Sequence, residues 1–242
     1  MTNLTAIKPV AFDLPTVAFF GRTLSEYEKF FDLRVDALKG CKVLDVAAGP
    51  SSFTAEATQR GVHATAVDPL YNRSPYSLAF LVDEDYVRTF NEIRRKPELI
   101  RLQKTFDTIE EAEVSRTTAA RRFLADFAGN GVASGRYVAA RLPTLPFKDN
   151  SFDLVLCAHL LFVYSKFYDY DFHLAACKEL LRVSKHEVKL HPIVEPTGEA
   201  YHNLRMLIAD LATEGHDAEV HTVDHEFFAG SNQTLSIRKN RG

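Results

Sequence analysis

Tryptophan is absent from the 242-residue chain, and cysteine (three) and methionine (two) are scarce. Cys41, Cys157 and Cys177 are odd in number, far apart and without C-x-x-C spacing. That excludes a disulfide framework and a zinc knuckle, and it fits a reduced, cytoplasmic setting. No apolar run reaches 18 residues, so no membrane-spanning helix is expected. Residues 1–10 lack the basic and long apolar regions of a secretory signal. Neither sign of charge dominates: 29 Lys and Arg against 32 Asp and Glu leave a net charge of -3, which speaks against a broad nucleic-acid surface. Internal repeats and low-complexity tracts are missing. What is present is 46% hydrophobic and 25% charged residues, enough for a core without staples. With no tryptophan, aromatic packing rests on 18 Phe and nine Tyr.

Residues 1–15 mix Pro9 and Pro15 with small polar side chains and read as a loose arm. Thr23 with Glu26 three residues on is a capping box that starts a helix. Residues 42–46 form a β-rich run, 47–51 a turn of small residues, 51–60 a helix ended by Gly61, and 62–67 a second strand. This is a βαβ unit, the building block of a parallel sheet. Residues 71–130 read as helical throughout, with Leu78, Leu81, Val82, Tyr86, Phe90 and Ile93 as one stripe and Pro97 opening a further segment. Alternation then returns: strands at 137–140, 152–162 and 187–193, and helices at 171–183 and 199–213. Two last strands, 219–228 and 233–238, are joined by a turn at 229–232 short enough for an antiparallel hairpin. The pattern predicts an α/β class, a doubly wound, mostly parallel sheet with an antiparallel C-terminal strand, forming a single domain over 1–242. Residues 1–40 would be a helical cover and 71–130 a helical lid.

Ligands on such sheets bind at the carboxyl ends of the strands. Here the first strand ends in Asp45-Val46-Ala47-Ala48-Gly49-Pro50-Ser51, whose small residues let a ligand approach the backbone. Nineteen residues after Gly49, Asp68 ends the second strand, where a carboxylate can accept from both hydroxyls of a ribose. The pair points to an adenosine-type ligand. A tight turn followed by a plain Asp cap before Pro69 is the competing reading.

Residues 43–49, Ala66-Val67-Asp68, and the stretch Leu145-Pro146-Phe147-Lys148-Asp149-Asn150-Ser151-Phe152-Asp153-Leu154-Val155 resemble the class I S-adenosylmethionine-dependent methyltransferases. The resemblance implies strand order 3-2-1-4-5-7-6. It implies S-adenosylmethionine as cofactor, with S-adenosylhomocysteine as product. The cofactor residues it implies are Asp45, Ala47, Gly49, Ser51, Asp68, Pro69, Arg141, Leu142, Cys157 and Ala158. Ala47 stands where the family's first motif has a glycine, which is acceptable if φ there is negative and the methyl finds room. Ser51 would donate to the methionine carboxylate or cap the helix. The family's usual acid after strand three is missing, so adenine would be held by backbone groups around Arg141 and Leu142.

A sulfonium methyl is already activated, so alignment and exclusion of water are the main tasks, with a base for an acidic nucleophile. His159, just past the fourth strand, is the candidate base and suits neutral pH. Tyr164 is the candidate for lining the acceptor pocket. Arg22 is expected to pair with a carboxylate of cofactor or substrate. Tyr71, Asn72 and Arg73 are candidates for contact with a small-molecule acceptor. His221 and His225 share one face of a strand, yet with His191 they lack a carboxylate pattern, and no metal site is expected. Arg94-Arg95-Lys96 and Arg121-Arg122 read as solvated helix faces, diluted by neighbouring acids, so no nucleic-acid partner is expected. Apolar exposure on the insertion would mark a homodimer surface. Two other functions stay open: a cofactor-binding module without turnover and an NAD-dependent oxidoreductase. The latter keeps only one glycine of G-x-G-x-x-G.

Overall fold

The computed structural model describes residues 10–102 and 105–239. Most of the N-terminal stretch read for a signal or arm, residues 1–9, lies outside them. Seven strands form one sheet: β1 (Lys42–Val46), β2 (His63–Val67), β3 (Tyr137–Val138), β4 (Phe152–Ala158), β5 (Ser184–His191), β6 (His216–Thr222) and β7 (Gln233–Lys239). Their order is β3-β2-β1-β4-β5-β7-β6, as the resemblance implies. β1 pairs in parallel with β2 and β4, while β7 runs antiparallel between β5 and β6.

The period of two decides which helix covers which face. Val43, Leu154 and Leu156 pack with Phe30 and Phe31 beside helix α1 (Leu24–Phe30), and with Phe53 and Ala57 of α2 (Phe53–Gln59). The alternate residues Leu44, Val155 and Cys157 pack with Ala176, Cys177 and Leu180 of a helix at Tyr170–Val183, and with Leu207 and Leu211 of one at Leu204–Thr213. The capping box forms as read: the Thr23 side chain accepts from Glu26 N–H, and the Glu26 side chain accepts from Thr23 N–H.

The insertion between β2 and β3 carries α3 (Pro75–Arg95) and α4 (Ile109–Asp126); the helices at Tyr170–Val183 and Leu204–Thr213 are therefore α5 and α6. It is less helical than its pattern suggests. Pro97–Leu99 is a single tight turn, and Ile100 leaves the helix to bridge to Phe228. The stripe Leu78, Val82, Tyr86, Phe90 and Ile93 is buried as read. Arg94 pairs with Glu113 and Glu110, and Arg122 with Glu56, as solvated faces do. Tyr76, Phe80 and Val87 stand exposed on α3.

Two further readings need correction. β3 has two residues, not four, because Ala140 onward turns away toward the cavity described below. The last two strands are not joined by a short turn. β6 stops at Thr222, and a long connector from Val223 to Asn232 folds back over the strand ends. His225 therefore lies beyond the strand and shares no face with His221.

Among the described residues no helix is long and apolar enough to cross a membrane. Leu156 is fully buried at the sheet centre, so Leu156→Ala should cost about 2–5 kcal/mol. Tyr76→Ala, on the exposed side of α3, should stay within about 0.5 kcal/mol. Urea unfolding of both variants checks the contrast.

Candidate functional site

β1 and β4 are neighbours, and their carboxyl ends open together. Both ends are strained. Ala47, just past β1, has φ +58°, and His159, just past β4, has φ +53°. A left-handed backbone costs a non-glycine residue about 1–2 kcal/mol, and such positions gather at ligand sites. The negative φ expected at Ala47 is not found. The turn itself demands the left-handed geometry there, and again at Gly49, φ +53°.

β2 supplies the carboxylate. Asp68 Oδ2 accepts from Gly49 N–H (3.1 Å) and Oδ1 from Leu70 N–H (2.9 Å), so it ties β2 to the turn after β1 and also caps the following turn. Burial raises its pKa to about 6, partly offset by those two N–H donors. A carboxylate offers about four lone-pair sites, so two remain for a ligand.

A cavity of about 600 Å³ lies over these ends, within the usual range for small-molecule sites. Ala47, Gly49, Asp68, Pro69, Arg141, Leu142, Ala158, His159, Tyr164 and Arg22 are all on its wall. Ala140 and Pro143 extend the wall beside Arg141 and Leu142, where no acid stands.

The remaining candidates sit off the wall. Asp45 is fully buried and accepts from the Tyr27 hydroxyl at 3.1 and 3.0 Å. Burial, with the Asp68 charge behind it, raises its pKa well above the carboxylate range. The Ser51 hydroxyl donates to the Arg22 carbonyl and accepts from Phe53 N–H. Those bonds hold it beside the start of α2, off the cavity wall. The Cys157 side chain points into the α5 side of the core, where burial raises its thiol pKa. Tyr71 wedges under the turn: its hydroxyl donates to the Gly49 carbonyl (2.6 Å) and its ring packs on Phe123, Phe127 and Tyr137. Asn72 and Arg73 are exposed beyond it.

The segment before α1 is a fitted strap, not a loose arm, over its described part. Phe12 N–H donates to Pro196 O, and its ring meets Phe228 edge-on. Ala18, Phe19 and Gly21 donate their N–H groups to the Tyr164 hydroxyl, Asp85 Oδ2 and the Tyr86 hydroxyl. Tyr164 thus lines the cavity while holding the strap. At Gly21 the strap touches the turn after β1: a Cβ there would lie 2.2 Å from Pro50 O.

The strap brings in residues that the sequence reading missed. Glu26 uses its second carboxylate oxygen, Oε1, to accept from Arg116 Nε (3.0 Å) and Nη2 (2.7 Å). Arg116 lies on the cavity wall, with its guanidinium 3.8 Å from the Phe227 ring centroid. Its signal was there to read. On α4 it falls among Ala112, Ala119, Ala120 and Phe123, a lone charge in the buried stripe. Phe227 and Phe228 had no such signal, because they come from the connector mistaken for a strand.

Burial and then the charges of Arg22, His191 and Arg116 hold the His159 pKa well below the usual imidazole value. Its Nδ1 is buried without a partner among the described residues. It is therefore a neutral imidazole, a weaker base than its sequence position suggests. His191 and His225 pack with it around the Phe30 ring and are likewise held neutral by burial.

The family model described as "Methyltransferase domain" matches residues 102–190. The chain is 30% identical over 227 residues to the uncharacterized protein MJ0045 of Methanocaldococcus jannaschii, covering 94% of this chain and 98% of that protein. The chain belongs to one family with MJ0045, and its residues 102–190 match the methyltransferase domain. Solved structures with a similar course include the magnesium protoporphyrin IX methyltransferase ChlM of Synechocystis PCC 6803 with bound S-adenosylmethionine. That likeness has 14% identity, 84% of this chain, 72% of that chain and a TM-score of 0.46. A TehB-like methyltransferase of Corynebacterium glutamicum is 13% identical over 86% of this chain and 87% of that chain, with a TM-score of 0.47. Within the family frame, the close approach at Gly21 makes a sharp prediction. Gly21→Ala should push the strap off the turn and destabilise the fold by about 1–3 kcal/mol, read as a lower midpoint in urea. Unchanged stability would mean the strap is not seated there.

Proposed function

We propose that this methyltransferase-family chain moves a methyl group from S-adenosylmethionine to a small-molecule acceptor held under the insertion, in a cytoplasmic setting. The observation that carries the reading is one continuous cavity. It joins Asp68 and the turn after β1 to a largely apolar chamber roofed by the strap, α3, α4 and the β6–β7 connector. The residues present fit the cofactor: a buried carboxylate with free lone pairs lies beside a turn of small residues. When bound, S-adenosylmethionine supplies a methyl already activated on a sulfonium.

The chain's own residues supply position and dryness. Asp68 accepts from the ribose hydroxyls. Ala140, Arg141, Leu142 and Pro143 form the wall for the adenine. The strap excludes water above. His159, kept neutral, accepts a proton at a ring nitrogen from an acceptor O–H or N–H. Burial, with the positive field of Arg22 and Arg116 behind it, keeps it neutral and also favours prompt release of that proton.

Calorimetry with S-adenosylhomocysteine tests the reading; no detectable binding would end it. Since Asp68 is ionised above about pH 6 and protonated below, affinity should fall about tenfold from pH 7 to pH 5. Asp68→Asn should cost at least roughly tenfold and remove that pH dependence. Unaltered affinity in Asp68→Asn would show that the cofactor lies elsewhere.

A further inference from the structure

The cavity wall carries one more built feature, away from Asp68. Arg22 and Arg116 share the single carboxylate Glu26: Arg116 by two short hydrogen bonds, Arg22 only at 4.0 Å from its Nε. Glu26 is already engaged at its other oxygen by Thr23. Two cations against one anion leave a surplus positive charge in an apolar chamber, a costly arrangement unless a ligand balances it. Arg22 Nε and Arg116 Nη1 are both buried without a hydrogen-bond partner among the described residues. The Arg116 side chain is only 1% exposed, and its guanidinium lies 3.8, 5.5 and 5.7 Å from the centroids of the Phe227, Phe106 and Phe20 rings. The other carboxylates on the wall are bonded elsewhere: Asp68 to Gly49 and Leu70 N–H, Glu92 to Asp13 N–H.

We infer that Arg116 and Arg22 form an oxyanion seat, and that the methyl acceptor is an apolar monoanion whose carboxylate docks there. The inference rests on the methyltransferase reading above and adds the acceptor's chemical class. The charge count favours a monoanion, because a dianion would reverse the surplus and leave a net negative charge buried. The aromatic side chains beside the seat, Phe19, Phe20, Phe227 and Phe228, favour an apolar or aromatic frame. Burial, followed by the Arg116 charge, lowers the pKa of Arg22 to about 10, which fits an unbalanced cation pair. A second carboxylate source exists, the amino-acid end of the cofactor itself, and the test separates the two.

The probes are 3-phenylpropanoate, its carboxamide 3-phenylpropanamide, and phenyl phosphate, titrated calorimetrically into the full chain alone and saturated with S-adenosylhomocysteine. Expected is binding of the carboxylate at least tenfold tighter than the carboxamide and the phosphate, retained when S-adenosylhomocysteine is bound. Equal binding of carboxylate and carboxamide, or tighter binding of the phosphate, overturns the seat. Loss of carboxylate binding on saturation with S-adenosylhomocysteine assigns the seat to the cofactor's carboxylate and also overturns the inference. If S-adenosylhomocysteine itself does not bind, the functional reading falls, while the comparison of probes in the free chain still decides the seat. The variant Arg22→Gln removes the surplus cation and leaves the Glu26–Arg116 pair whole. It should lose the carboxylate preference while still binding S-adenosylhomocysteine. Arg116→Lys, which keeps the charge without the Nη1 donor, should lose part of it. A carboxylate preference unchanged in both variants would overturn the inference.

Discussion

A single carboxylate closes the site. Asp68 receives the N–H of Gly49 across from the neighbouring strand end and the N–H of Leu70 from its own turn. Burial makes that carboxylate expensive to ionise, and the two N–H donors hold the cost down. The Gly49 bond also ties down the turn after β1, which has the left-handed geometry seen at Ala47 and Gly49. Tyr71 locks the turn from below through the Gly49 carbonyl. A loosened Asp68 would therefore release the turn and the wall it forms.

Around that joint the molecule builds a largely apolar chamber from parts far apart in sequence. The strap hangs from Asp85 and Tyr86 of α3 and from Tyr164 after β4. Glu26 links the start of α1 to α4 through Arg116. Each of these is a buried polar group whose partner lies on another element, so the roof is specified by polar contacts as well as by apolar packing. Removing one member strands its partner in an apolar setting, which is why the roof behaves as a unit with the site.

Much of this was legible from residue order. The βαβ unit and the capping box follow from local periodicity and turn chemistry, the sheet order from the family resemblance, and Asp68 from its place at the end of the second strand. The left-handed Ala47 was not legible, because φ there is imposed by the turn's tertiary fit and not by the residue. Ser51, Cys157 and Tyr71 were read as ligand contacts from their position in the chain. The structure spends them on a helix start, a core and a wedge, choices that depend on which way each side chain leaves the backbone. The β6–β7 connector looked like a strand because Phe227 and Phe228 extend an apolar alternation, yet they cover the cavity. Arg116 could have been found: a charged residue inside a buried helical stripe needs a partner, and Glu26 was the buried acid available.

The decisive measurement is a crystal structure of the chain soaked or co-crystallised with S-adenosylhomocysteine. Expected is a ribose with both hydroxyls within hydrogen-bond distance of the Asp68 oxygens and the sulfur facing His159 and the chamber beneath α3 and α4. A nucleoside bound away from Asp68, with the turn after β1 empty, would contradict the assignment of the site.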